Sequence, residues 1–151
     1  MSSKTLAQEA NQMDDQETPL SLILFSGTDD RLGAAAILAT GAAAMGRPVN
    51  VFLQYWALDA FRKEKVTAWH GAAPEAGPAG AVLVRTSQTA ERHWSELFRQ
   101  AKDVGDVKIH ACALSMELFD ITTDDLDPLV DDVEGVAAFM SDATTGPITF
   151  I

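Results

Sequence analysis

Residues 20–54 read "LSLILFSGTDDRLGAAAILATGAAAMGRPVNVFLQ". The short apolar run from Leu20 to Phe25 is the pattern of a strand buried on both faces. Ser-Gly-Thr-Asp-Asp follows at once. Ser26 or Thr28 can cap a helix, and Asp29 and Asp30 fall in its first turn, where the helix dipole favours negative charge. The alanine-rich body then runs for about four turns to Gly46, with Pro48 just beyond, a well-punctuated stop. A second strand, Val49 to Gln54, comes next. Strand, helix and strand in this order form the repeating unit of a parallel sheet.

The rest of the chain extends that unit. "YWALDAFRKEK" (55–65) is expected to be a second helix. "GAAPEAGPAG" (71–80) breaks every period and is expected to be a loop, with "AVLV" (81–84) a minor strand after it. "TAERHWSELFRQAKDVG" (89–105) is amphipathic, with Trp94, Leu97, Phe98 and Ala101 on one face and Gly105 as its stop. "VKIHA" (107–111) reads as a strand, followed by a short helix from Cys112 or Ala113. "GVAAFMSDAT" (135–144) supplies a last helix and "PITFI" (147–151) a last strand. Residues 1–18 carry few large apolar side chains and no period, so they are expected to form a flexible N-terminal tail, with residues 19–151 a single domain. The expected fold is α/β: a three-layer α/β/α sandwich on a mainly parallel sheet of about five strands, flavodoxin-like in outline. In such sheets function gathers at the carboxyl ends of the strands.

Composition narrows the function. The chain has 151 residues, 47% of them hydrophobic and 22% charged, with a formal net charge of −11. That charge argues against nucleic acid, whose phosphates require clustered Lys and Arg. The sequence contains no unbroken apolar run long enough for a transmembrane helix. The polar N-terminus lacks a signal-peptide core and the one cysteine cannot form an internal disulfide, so a cytoplasmic location is expected. After Lys108 there is no Lys or Arg, while Glu117, Asp120, Asp124, Asp125, Asp127, Asp131, Asp132, Glu134 and Asp142 all follow. This acidic third is either a solvated surface or a docking face for a basic partner.

Few residues carry recognisable chemistry. The turn "FSGTDDRLG" matches no phosphate-binding signature, and its two aspartates would repel a phosphate; Gly33 and Gly41 are expected to allow close packing of their helix on the sheet or on a neighbouring subunit. His70, His93 and His110 are too scattered for a zinc site, and His70 and His93 read as ordinary loop histidines. No metal and no cofactor are expected. Cys112 stands apart. It falls where a strand gives way to a helix, a place where free N–H groups and the helix dipole stabilise a thiolate. His110, two residues earlier, shares its side of the strand and is a candidate activator. Glu117 and Asp120 oppose that effect, and a lone cysteine also serves as a core filler. Both readings of Cys112 stand on residue chemistry alone.

Several separated motifs add a resemblance. "ACALSMELFDIT" (111–122), "DLDPLVDDVEGVAAFMSDA" (125–143) and the terminal "ITFI", together with "LILFSGTDDRLGAAAILATGAAAMGRPVNVFLQYWALDAFRK" (22–63), resemble the DsrE/DsrF/DsrH-like family, in its DsrE2-like, "peroxiredoxin family" branch. The resemblance spans roughly residues 20–64 and 88–151. It implies a small cytoplasmic α/β protein, a homo-oligomer of three or more subunits, that carries sulfane sulfur as a persulfide on one cysteine. That cysteine maps onto Cys112, with Ala113, Leu114, Ser115 and Met116 in the same motif. The implied function is a sulfur carrier or sulfurtransferase-like protein exchanging sulfur with a TusA-like carrier. One thiol is enough for such a cycle, whereas a reductase would require a resolving cysteine. Leu114, Met116, Tyr55 and Trp56 are the expected apolar wall around the sulfur, or else core and subunit-contact residues. The alternative is a non-catalytic oligomeric binding or regulatory module for a redox partner. Two positions depart from the family pattern: Asp120 stands where a glycine is usual, so a different turn is expected there. Residues 65–87 are Gly/Ala/Pro-rich instead of Met- and Lys-rich.

Overall fold

The computed structural model of the chain describes residues 2–9 and 18–151. Residues 3–9 are helical (α1) and exposed, where the sequence suggests no regular element. The cause is local: Ser2 accepts the Thr5 N–H on its hydroxyl at 3.4 Å, and Leu6, Ala7, Gln8 and Glu9 are strong helix formers. The rest of the expected tail, at residues 1 and 10–17, lies outside the described residues.

The apolar run at 20–25 becomes β1 (Leu20–Leu24), followed by α2 (Asp29–Ala44), β2 (Val49–Leu53) and α3 (Tyr55–Ala60). A 3₁₀ turn, Pro74–Ala76, leads into α4 (Gly77–Ser87); then come α5 (Trp94–Val104), β3 (Val107–Cys112), α6 (Ala113–Leu118), β4 (Asp132–Glu134), α7 (Val136–Asp142) and β5 (Ile148–Phe150). The five strands form one sheet in the order β4-β3-β2-β1-β5, and every pairing is parallel. With helices on both faces, this is the expected α/β architecture.

Strand alternation divides the core. Leu22 and Leu24 of β1, Val49, Val51 and Leu53 of β2, and Val107, Ile109 and Ala111 of β3 share a core with the alanine face of α2 and with Trp94, Phe98 and Ala101 of α5. Small side chains let α2 lie close. At its far end Gly105 is the residue that permits contact, since a Cβ there would stand 3.0 Å from Ala43 Cβ. Gly33 and Gly41 face open space instead, so they do not serve close packing on the sheet. On the opposite face Ile23, Phe52 and Cys112 cluster with Phe139 of α7 and Ala143 just after it. One face is thickly covered and the other thinly.

Two local expectations are corrected, and one strand was not expected. Residues 71–80 are not all loop and 81–84 are not a strand: both contribute to α4. Gly77 turns the chain at φ 64° and Pro78 begins the helix with its φ already set. Four apolar residues are too few to separate a period of two from one of 3.6. The helix expected at 55–65 stops at Ala60, where Asp59 takes Arg62 and Lys65 as ion-pair partners. Finally β4, a polar edge strand, carries no apolar alternation in its sequence. It exists because Ala111 and Cys112 of β3 pair with Val133 and Glu134.

Candidate functional site

The carboxyl end of β3 delivers Cys112 to the N-cap of α6, and its Sγ accepts the Ser115 N–H at 3.5 Å. The cysteine is only 5% exposed. Its cover is Phe52 and Phe139, whose rings stack at 4.6 Å and 11°, with Ala143 beside them. The thiol thus shares its buried cluster with α7.

Its sequence neighbours separate. Met116 is buried in the main core, while Leu114 is 61% exposed and Ala113 also faces solvent. Ser115 is buried, and its hydroxyl accepts the Tyr55 N–H at 3.2 Å, which joins the ends of β2 and β3. Tyr55 itself has φ 46°, a left-handed conformation unusual for a bulky side chain. Its ring packs 5.3 Å from Phe25 and 5.9 Å from Phe119, and Phe119 also meets Trp56 at 5.2 Å. Gly27 makes this corner possible, because a Cβ there would sit 2.4 Å from the Trp56 carbonyl oxygen. Tyr55 and Trp56 therefore form an exposed aromatic rim above the strand ends.

His110 does share the face of Cys112, as its place two residues earlier requires. Its Nδ1 hydrogen-bonds Asp132 Oδ1 at 2.5 Å and lies 3.5 Å from Glu134 Oε2. Its ring meets Phe139 edge-on at 6.3 Å. The ladder explains the arrangement: His110 is opposite Asp132, and Cys112 opposite Glu134. Glu134 Oε2 is buried with no hydrogen-bond partner. Burial pushes the Glu134 carboxyl up, and the nearby charges of Asp142 and Asp132 push it further, against the pull of His110. Asp132, Glu134 and Asp142 were legible only as part of an acidic run; no local signal marks them as neighbours of the thiol.

That run is not a uniform surface. Asp127 is 8% exposed, accepts the Leu129 N–H and pairs with Arg99. Asp125 forms a capping box with Thr122, and Asp131 accepts the Ile109 N–H while pairing with Lys102. Asp124 lies exposed. Asp125 and Asp127 thus hold backbone N–H groups in place.

Asp120 has φ 51°, just beyond the end of α6, the left-handed position that glycine occupies at many helix ends. An aspartate there places a Cβ in an unfavourable region. Asp120→Gly is expected to raise stability by about 0.5–1 kcal/mol, read as a higher urea midpoint. A lower midpoint for the glycine variant would refute it.

The histidines expected to be plain loop residues belong to a second cluster. Asp29, 1% exposed, accepts the Trp94 indole N–H and the His70 backbone N–H, each at 2.7 Å. His93 caps α5 through the Ser95 N–H. Burial pushes His93 down against the pull of Asp29, with His70 and Arg99 adding repulsion.

Comparison with known proteins fits this architecture. The model of the DsrE/DsrF/DrsH-like family matches residues 16–90 and 86–151. The chain belongs to that family. It is 29% identical to the uncharacterized protein YrkE of Bacillus subtilis (strain 168) over 160 residues, 90% of this chain and 98% of YrkE. Two solved structures share the fold of this DsrE-like chain. MTH1491 from Methanobacterium thermoautotrophicum matches at a TM-score of 0.58 and 15% identity, over 89% of this chain and 100% of its own. The ychN protein of E. coli matches at 0.51 and 12%, over 89% and 99%. Family membership suggests a sulfur-related role. Among the described residues no helix is long and apolar enough to cross a membrane.

Proposed function

We propose that this chain is a cytoplasmic sulfur carrier or sulfurtransferase-like protein that holds sulfane sulfur as a persulfide on Cys112. The observation that carries this reading is the seat of the one cysteine: it ends β3, caps α6 and accepts the Ser115 N–H on sulfur, in the motif position the family reserves for the persulfide. A thiolate or persulfide anion gains from such a donor. His110, held by Asp132 and Glu134, is a positioning residue for the face on which the sulfur sits.

The partner is a TusA-like carrier or another sulfurtransferase, and the working form is a homo-oligomer of three or more subunits. Support for assembly comes from the large apolar side chains left open around the strand ends: Trp56 56%, Phe150 64%, Leu114 61% and Leu118 59% exposed. A monomer rarely leaves such a rim in water.

The alternative, a non-catalytic binding or regulatory module, is favoured by one observation, the burial of Cys112 beneath Phe139. Intact mass spectrometry after polysulfide treatment separates the two. The carrier gains whole sulfur atoms that reductant removes, and Cys112→Ser gains none. Wild-type protein left unmodified by several sulfane donors would sink the carrier reading.

A further inference from the structure

A thiol that exchanges sulfur must lose a proton and then supply one to a departing thiolate. His110 is the nearest sequence neighbour with suitable chemistry, but its Nδ1 is already committed to Asp132 at 2.5 Å. The parallel ladder places Glu134 directly opposite Cys112. Neighbouring strands lie about 4.8 Å apart and paired residues point to the same face. That the face is shared is fixed by His110: its ring touches Phe139, which covers Cys112, and its Nδ1 reaches Glu134 Oε2 at 3.5 Å. Glu134 Oε2 is buried and accepts no hydrogen bond, with His110 Nδ1 3.5 Å away, so a proton acceptor stands across the ladder from the cysteine, on the same face.

We infer that Glu134 is the proton-transfer residue for Cys112. In each transfer the Cys112 thiol gives its proton to the Glu134 carboxylate. The thiolate attacks the sulfane sulfur of a donor R–S–SH, and the new S–S bond forms as the donor's own S–S bond breaks. The electron pair of the broken bond leaves on R–S⁻, which takes the proton back from the Glu134 carboxyl. Cys112–S–SH and R–SH result, and no external oxidant is consumed. The persulfide step rests on the carrier reading; the proton transfer does not.

The groups that face Glu134 act together on its proton. They are Cys112 and His110 from β3, Asp132 from its own strand and Asp142 from α7, while β2 brings the uncharged Phe52. Two like charges, Asp132 and Asp142, favour keeping that proton on Glu134, and His110 limits the effect.

The experiment uses two uncharged disulfides and needs no sulfane donor. 4,4′-Dithiodipyridine releases a stable thiolate that requires no proton, whereas hydroxyethyl disulfide releases a basic one that does. In Glu134→Gln both rates are expected to fall, since either reagent needs the thiol's proton removed, and the rate with hydroxyethyl disulfide about 100-fold further than that with dithiodipyridine, because its leaving group must also take the proton back. Glu134→Asp should restore part of the loss. Equal slowing with both reagents, or no slowing with either, overturns the inference. If Glu134→Gln does not fold, the wild-type pH profile decides: the ratio of the hydroxyethyl disulfide rate to the dithiodipyridine rate should drop with rising pH as the Glu134 carboxyl loses its proton, and a flat ratio overturns the proposal. Failure of the carrier reading is recorded separately, as absence of mass gain with polysulfide in a protein whose rate ratio still depends on Glu134.

Discussion

Trp94→Ala is expected to lower the unfolding free energy by about 3–5 kcal/mol, a large share of the 5–15 kcal/mol that holds a domain of this size. Trp94 is fully buried between Phe61, at 4.9 Å, and Phe98, at 6.5 Å. Its indole N–H also donates to Asp29 Oδ1 at 2.7 Å, while Asp29 Oδ2 takes the His70 N–H. One side chain thus ties α5, α2 and the segment before α4 into a single unit. Removing it leaves both a cavity and a buried carboxylate oxygen without its donor, and the two losses add. Trp94→Phe separates them: it keeps most of the volume, so only the unpaired oxygen remains, at about 1–3 kcal/mol. Urea unfolding of the three proteins measures both steps. A loss below about 1 kcal/mol for the alanine variant would mean that this contact does not anchor α5.

Phe139→Ala is expected to speed the reaction of Cys112 with 4,4′-dithiodipyridine by on the order of 100-fold. Phe139 is the one buried residue of α7, 1% exposed, and it stacks on Phe52 in the small buried cluster that also holds Cys112. The remaining anchor of that layer is Ala143, which has little side chain to bury. If α7 must lift for a reagent to reach sulfur, about 3 kcal/mol removed from the closed state enlarges the open population in proportion. The variant's unfolding midpoint must be followed in parallel, because global unfolding also exposes the thiol. Reactivity equal to wild type in a folded variant would show that sulfur is reached by a path other than beneath α7.

Both expectations concern features that the sequence reveals unequally. The unit from β1 to β2 was legible because its signals are local: an apolar run, an alanine-rich helix of uniform small side chains, and a stop at Gly46, which adopts φ 77°. Cys112 was legible for the same reason, since "VKIHAC" ends an apolar alternation that α6 cannot continue. By contrast "AVLV" is too short to state its own period, and only the Gly77–Pro78 start beside it decides for helix.

The acidic third of the chain marks the boundary between the two kinds of information. Sequence determines its charge, and charge alone speaks for solubility and against nucleic acid. It does not say which carboxylates face water. Asp127 and Asp131 are fixed by backbone N–H groups and by Arg99 and Lys102, partners 28 or 29 residues away in the chain. Glu134 stands beside Cys112 because β4 pairs with β3 in one register; a slip of one residue would turn it to the other face. Local propensity and pattern set the elements and the place of the cysteine. The company that cysteine keeps depends on ladder register and on which helix covers a face, both of which depend on contacts between distant residues and leave no mark in the neighbouring sequence.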